Sequence, residues 1–266
     1  MGEGWGGGPP DAIAPPYDPD PLDLPAGSRF EEPQKTAGKD MTMTAPIARP
    51  LVAEFLGTAL LMAVVVGSSA MGAALGAGPA LGLLVSALVT GLALFVLITV
   101  LAPLSGAHLN PAVTLVVTLS GGMTVRRALT FGLAQIGGAF AGTALAHLMF
   151  ALPPFTASQI ERASGGLWLS ELVATFGLIF VILGAIRAGG PLAALVGAYI
   201  TAGYWFTAST GFANPAMTLA RAVTGTGAGL RAQDLPPYLA AQIAGAVLAW
   251  ALGRWLFAAP RPGQEP

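Results

Sequence analysis

Asn110-Pro111-Ala112 and Asn214-Pro215-Ala216 are the residues of this chain whose types and spacing can do chemistry. Each triplet opens an Asn-Pro-Ala-x-Thr-Leu string. The Asn side chain can cap a helix, Pro suits the first helical position, and Ala, Val113 or Met217, Thr and Leu continue it. Each string therefore predicts a helix whose free N–H groups and positive dipole end lie at the Asn. The Asn amide N–H donates to a neutral, hydrogen-bonding solute, and the dipole end opposes a cation.

The neighbourhood of each triplet repeats as well. Ser105-Gly-Ala-His-Leu precedes Asn110, and Ser209-Thr-Gly-Phe-Ala precedes Asn214. Ala53-Glu54-Phe55 is echoed by Ser170-Glu171-Leu172. Ala134-Gln135-Ile136-Gly137-Gly138 is echoed by Ala241-Gln242-Ile243-Ala244-Gly245. Glu54 and Glu171 are the carboxylates inside apolar stretches, where an ionisable group suggests function. They can carry protons, as in a coupled transporter, or accept hydrogen bonds from their own half's irregular loop; their equivalent places in the repeat favour the second reading. Gln135 and Gln242 read as polar links between helices rather than solute ligands. His108 lines a cavity or bonds loop backbone, and His147 is packed or interfacial.

These residues need a membrane to hold them. The 266-residue chain is 54% hydrophobic and only 9% charged, with a mean hydropathy of +0.70, whereas soluble domains carry about 25% charged residues. Its net charge of -1 offers no field for nucleic acid. With no Cys, disulfide and thiolate chemistry are excluded. No nucleophile, base and orienting group recur together and no metal-ligand cluster is apparent, so the sequence reads as neither an enzyme nor a cofactor or metal protein.

Six apolar stretches are expected to span: Leu51 to Leu75, Ala80 to Leu101, Val125 to Phe150, Leu167 to Ile186, Leu192 to Ser209 and Pro236 to Phe257. About 20 residues cross a bilayer. The runs that follow the two Asn residues are about half that length, so they are expected to enter and return. Irregular backbone at membrane depth lines a cavity or is buried in protein. Three spans per half is an odd number, so the halves enter from opposite faces. The expected fold is all-α, with six transmembrane helices and two re-entrant half-helices in an inverted repeat. Residues 1–46, rich in Gly and Pro and more acidic than basic, read as a disordered tail, residues 47–258 as the channel domain (repeats about 50–150 and 167–258), and 259–266 as a short tail. Arg49, Arg126, Arg127, Arg187, Arg254 and Arg261 fall on one side and Arg162, Arg221 and Arg231 on the other, which places both termini in the cytoplasm.

A doubled Asn-Pro-Ala motif after the second and fifth of six spans, with matching Glu and Gln echoes from about Arg49 to Phe257, resembles the aquaporin or major intrinsic protein family. The resemblance implies a passive channel for water, glycerol-like polyols or other small neutral solutes. It also implies a homotetramer in the bilayer with one pore per subunit. Most members carry Arg directly after the second triplet; this chain has Met217. The resemblance further assigns Thr90, Gly211 and either Gly203 or Tyr204 to the solute filter. The string Ser-Thr-Gly-Phe-Ala-Asn-Pro-Ala-Met-Thr-Leu-Ala-Arg is similar to bacterial aquaporins associated with arsenic resistance, which implies arsenite or another neutral metalloid hydroxide as solute and a bacterial inner membrane as the location. Arg221 reads either as a solvated loop cation or as an outer substitute for the absent filter Arg, one helical turn from Met217. The reading from another class is an ion-coupled secondary transporter; a junction protein would not need two polar half-helix caps.

Overall fold

The computed structural model describes residues 48–257. The two terminal tails expected from the sequence lie outside them. The described residues form eight α-helices: α1 (Ala48–Ala74), α2 (Pro79–Ser105), α3 (Pro111–Leu119), α4 (Val125–Met149), α5 (Gly165–Ala188), α6 (Leu192–Phe206), α7 (Pro215–Ala220) and α8 (Leu235–Leu256). Five are long and apolar enough to cross a membrane. Their surfaces expose large apolar side chains such as Leu92, Leu133 and Trp255, as a lipid-facing wall requires.

The fifth expected span is shorter than the sequence suggests. α6 has 15 residues, and it ends at Phe206 rather than Ser209. Thr207 is extended, and its Oγ1 donates to the Gly203 carbonyl at 2.6 Å. The Thr hydroxyl thus turns the chain out of the helix and into the second re-entrant loop. In the first half the equivalent exit is made by Gly106, at φ 89° directly after α2, a conformation that suits a residue without a Cβ.

The long helices pair in a repeated pattern. On α4, Gly138 and Gly142 lie against the α1 carbonyls of Phe55 and Ala59; on α8, Gly245 lies against the α5 carbonyl of Leu172. A Cβ at any of these glycines would strike backbone, so their small size sets the helix separation. α2 and α6 cross in the same way, Gly91 against Gly197. These contacts hold the two halves rigid around the short helices α3 and α7. Gly142→Leu is expected to destabilise the detergent-solubilised protein by about 1–3 kcal/mol through overpacking. By contrast Gly132→Ala, whose added Cβ meets nothing within 4 Å, should leave the thermal midpoint unchanged or raised; equal losses for both would refute the close-packing role of Gly142.

Candidate functional site

Each re-entrant loop is folded onto one carboxylate. Glu54 Oε1 accepts the Ser105 hydroxyl at 2.6 Å and the His108 N–H at 2.9 Å; its Oε2 accepts the Leu109 N–H at 2.7 Å and the Gln135 amide at 2.8 Å. Glu171 accepts the N–H groups of Phe212 and Ala213 at 2.9 and 3.0 Å and the Gln242 amide at 2.6 Å. Both carboxylates are fully buried. The Gln amides also donate to Thr114 and Thr218 Oγ1, at 3.0 and 2.8 Å, tying α4 and α8 to α3 and α7.

This bonding holds a conformation that the loop residues would not choose alone. Ala107 and Leu109 have φ of 48° and 49°, and Thr210 and Ala213 have 65° and 48°. Left-handed backbone at non-glycine residues costs about 1–2 kcal/mol apiece. The Ser hydroxyls brace it further: Ser105 Oγ accepts the Ala107 N–H at 3.0 Å and Ser209 Oγ accepts the Gly211 N–H at 3.2 Å. Both serines stand five residues before an Asn.

The loops meet through their asparagines. Asn110 Oδ1 caps α3 by accepting the Ala112 N–H at 2.8 Å, and Asn214 Oδ1 caps α7 by accepting from Ala216 and Met217 at 3.1 and 3.4 Å. Each Nδ2 then donates across the repeat, Asn110 to the Ala213 carbonyl at 2.7 Å and Asn214 to the Leu109 carbonyl at 2.8 Å. An amide nitrogen has two hydrogens, so each Asn keeps one donor for the cavity that both side chains border. Pro111, Pro215, Ala112 and Ala216 lie behind them at the first turns of α3 and α7.

That cavity, about 150 Å³, is walled largely by apolar side chains, among them Leu61, Leu94, Leu178, Ile182 and Ile200. Thr90, Tyr204, Gly211, Met217 and Arg221 border it together. Thr90 Oγ1 lies 3.1 Å from the Tyr204 hydroxyl, making a polar rung across α2 and α6. Of the two α6 candidates, Tyr204 borders the cavity and Gly203 does not; the Gly203 backbone sits behind Gly211. His108 borders it too, its Nδ1 3.1 Å from Thr114 Oγ1 and its ring tilted on Phe131 at 5.6 Å.

A second space of about 470 Å³ continues beyond, and Val65, Tyr204 and Arg221 border both. Arg221 is only 4% exposed, which corrects the reading of a solvated loop cation. Its Nη1 donates to the Ala228 carbonyl at 2.6 Å, and its guanidinium stands 3.6 Å from the centre of the Phe212 ring. His147 is buried away from the cavity, pinned between the Pro153 carbonyl at 2.6 Å and Thr224 Oγ1 at 2.8 Å.

Sequence reasoning missed Arg162, which enters this second space from the α4–α5 loop. Its Nε donates to the Gly229 carbonyl at 3.0 Å and its Nη2 to Gly227 at 3.2 Å. Nothing local in its sequence separates it from an ordinary loop charge. Ser105 with Ser209 and Thr114 with Thr218 were also overlooked as partners, although their paired positions in the repeat were a signal.

The family model described as Major intrinsic protein matches residues 41–194. The chain is 54% identical over 217 residues to the aquaglyceroporin AqpS of Rhizobium meliloti (strain 1021), across 81% of this chain and 93% of that protein. It is 33% identical over 223 residues to the probable aquaporin TIP2-1 of Oryza sativa subsp. japonica, across 77% of this chain and 88% of the relative. Among solved structures it is similar to the X-ray structure of the aquaglyceroporin from Plasmodium falciparum. That match has a TM-score of 0.64 at 27% identity and covers 80% of this chain and 96% of the other.

The loop geometry gives a direct test of the carboxylates. Glu54→Gln replaces the Oε2 acceptor, or Oε1, by an amide that faces two donors. It is therefore expected to cost about 1–3 kcal/mol, and Glu54→Ala more, read as a lowered unfolding midpoint. A Glu54→Gln protein as stable as the original would show that the carboxylate does not hold the loop.

Proposed function

Because the chain belongs to the major intrinsic protein family and is a passive membrane channel for small uncharged solutes such as water and glycerol, we propose that its filter favours glycerol-sized hydroxylated solutes over water, neutral metalloid hydroxides such as As(OH)3 included. The observation that carries this is that the uncharged thioether of Met217 and the Thr90–Tyr204 hydroxyl rung border one cavity. A polyol or As(OH)3 presents several hydroxyls and little charge. It can exchange hydrogen bonds with the rung while its remaining surface rests on Met217 and the aliphatic wall. A polyol loses less than water does along such a wall, because its carbon faces need no hydrogen bonds.

In this reading Asn110 and Asn214 hand the solute on with their second amide hydrogens, and Pro111, Ala112, Pro215 and Ala216 hold those amides at the midplane. The helix ends behind them carry about half a positive charge each, which opposes protons and metal cations. Thr90, Tyr204, Gly211 and Met217 form the filter, and Arg221 places a cation one turn farther out. Glu54, Glu171, Gln135 and Gln242 are structural. The work is permeation rather than catalysis. We further assign residues 47–258 as the channel domain and a homotetramer in a bacterial inner membrane as the assembly, with both termini cytoplasmic. The excess of Arg near Arg49, Arg126, Arg127, Arg187 and Arg254 supports that orientation.

Flux in proteoliposomes is expected to be bidirectional and unchanged when the membrane potential and pH gradient are collapsed. Accumulation of glycerol or arsenite against its own gradient would overturn the channel in favour of a coupled transporter. Met217→Arg should narrow the filter and add strong donors. It is expected to reduce arsenite and glycerol flux about tenfold or more while water flux changes far less, the difference expected when a fixed cation replaces an uncharged side chain at the filter. Repeating the measurement in an Arg221→Ala background separates charge near the mouth from size at the filter. An unchanged glycerol-to-water ratio would remove Met217 from the filter.

A further inference from the structure

The second loop differs from the first at the residue two before its Asn. Phe212 stands where His108 stands in the first copy, and two cations rest over its ring: Arg221 at 3.6 Å and Arg162 at 5.3 Å from the centroid. They come from separate parts of the chain, one from the turn after α7 and one from the α4–α5 loop. Both border the 470 Å³ vestibule beyond Tyr204.

Among the described residues, neither guanidinium has a carboxylate within ion-pair distance. Arg162 donates to the carbonyls of Gly227 and Gly229, and Arg221 to that of Ala228. Asp234 is engaged elsewhere: it accepts the Arg162 backbone N–H at 2.8 Å and forms an ion pair with Arg231 at 3.1 Å. Glu161 pairs with Arg231 as well, at 3.0 Å. No acidic side chain is among the residues that border the vestibule. Two formal positive charges therefore border one chamber; the buried Glu171 carboxylate attracts both, but it is bound to the Phe212 and Ala213 N–H groups and the Gln242 amide and forms no ion pair with either. Burial pushes the Arg162 guanidinium below its ordinary range, against the opposing influence of Tyr238 and Glu171. Arg221 Nε is buried with no acceptor.

Partly buried cations of this kind are stabilised by an anion that enters between them. Guanidinium groups present planar pairs of N–H donors that match the edge of an oxyanion. The carbonyl bonds leave both groups further donors, since each guanidinium carries five. We propose that this vestibule is a binding site for a small oxyanion, held jointly by Arg162 and Arg221, and that the bound anion obstructs entry of neutral solute past Tyr204. The anion stays outside the filter, because the wall beyond Tyr204 is largely aliphatic. The site does not depend on which neutral solute the filter prefers.

Inorganic phosphate is the probe. At constant ionic strength, calorimetric titration of the detergent-solubilised full-length protein should show saturable binding, and phosphate should slow glycerol flux in proteoliposomes. Arg162→Gln is expected to weaken binding about tenfold and to relieve the inhibition by a similar factor, the loss expected for one charge-assisted donor pair. If Arg162→Gln lowers the thermal midpoint, Arg162→Lys decides: it retains the charge without the planar fork, so weakened binding in a stable protein supports the site and undiminished binding overturns it. Absence of saturable phosphate binding to the unaltered protein overturns the proposal even where glycerol flux is intact. Loss of glycerol selectivity alone would instead count against the filter assignment.

Discussion

Backbone polar groups at membrane depth have no water to satisfy them, and an orphaned group there costs several kcal/mol. Two loops of this chain nevertheless leave helical geometry in the middle of an apolar protein. They can do so because Glu54 and Glu171 accept their N–H groups. Everything else about the site depends on that exchange. A carboxylate offers more acceptor capacity than an amide or hydroxyl, and Glu54 uses it on four donors from three parts of the chain. Its charge is spread over N–H, O–H and amide dipoles rather than balanced by a cation, which leaves it fitted to hold structure.

With the loops fixed, the asparagines lock the two halves to each other. Each Asn satisfies its own helix N-terminus with oxygen and the opposite loop with nitrogen. The arrangement is reciprocal, so neither half can move without leaving a polar group of the other unpaired. Removing one partner from such a network costs more than the average hydrogen bond is worth. Rigid amides thus border the cavity, each with one hydrogen left to donate into it.

Symmetry holds in the scaffold and breaks at the mouth. Glu, Gln, Ser, Asn and Thr recur in both halves with matching bonds, apart from the Ser105 hydroxyl bond to Glu54, which Ser209 does not repeat. His108 and Phe212, by contrast, occupy equivalent loop positions with different chemistry, and Arg221 and Arg162 gather only around the second. The repeat builds the frame, and the departures from it lie where the cavity and the second space meet.

The sequence by itself determined the helices, the half-helices and the repeat, because hydropathy, Asn-Pro capping and matched spacing are local properties. It also marked Glu54 and Glu171 as acceptors for their own half's loop, since equivalent positions imply equivalent surroundings, and Gln135 and Gln242 as polar links between helices. Tertiary structure decided the rest. The end of α6 rests on a Thr207 bond to Gly203 that propensity does not encode, and the turn of that helix brings Tyr204 rather than Gly203 to the cavity. Arg221 is buried because Phe212 and the Ala228 carbonyl receive it, and Arg162 arrives from a loop more than fifty residues away in the chain. A charge reads alike in a string of letters whether water or an aromatic ring surrounds it; only the path of the chain sets which, because burial and donor geometry are properties of space rather than of order.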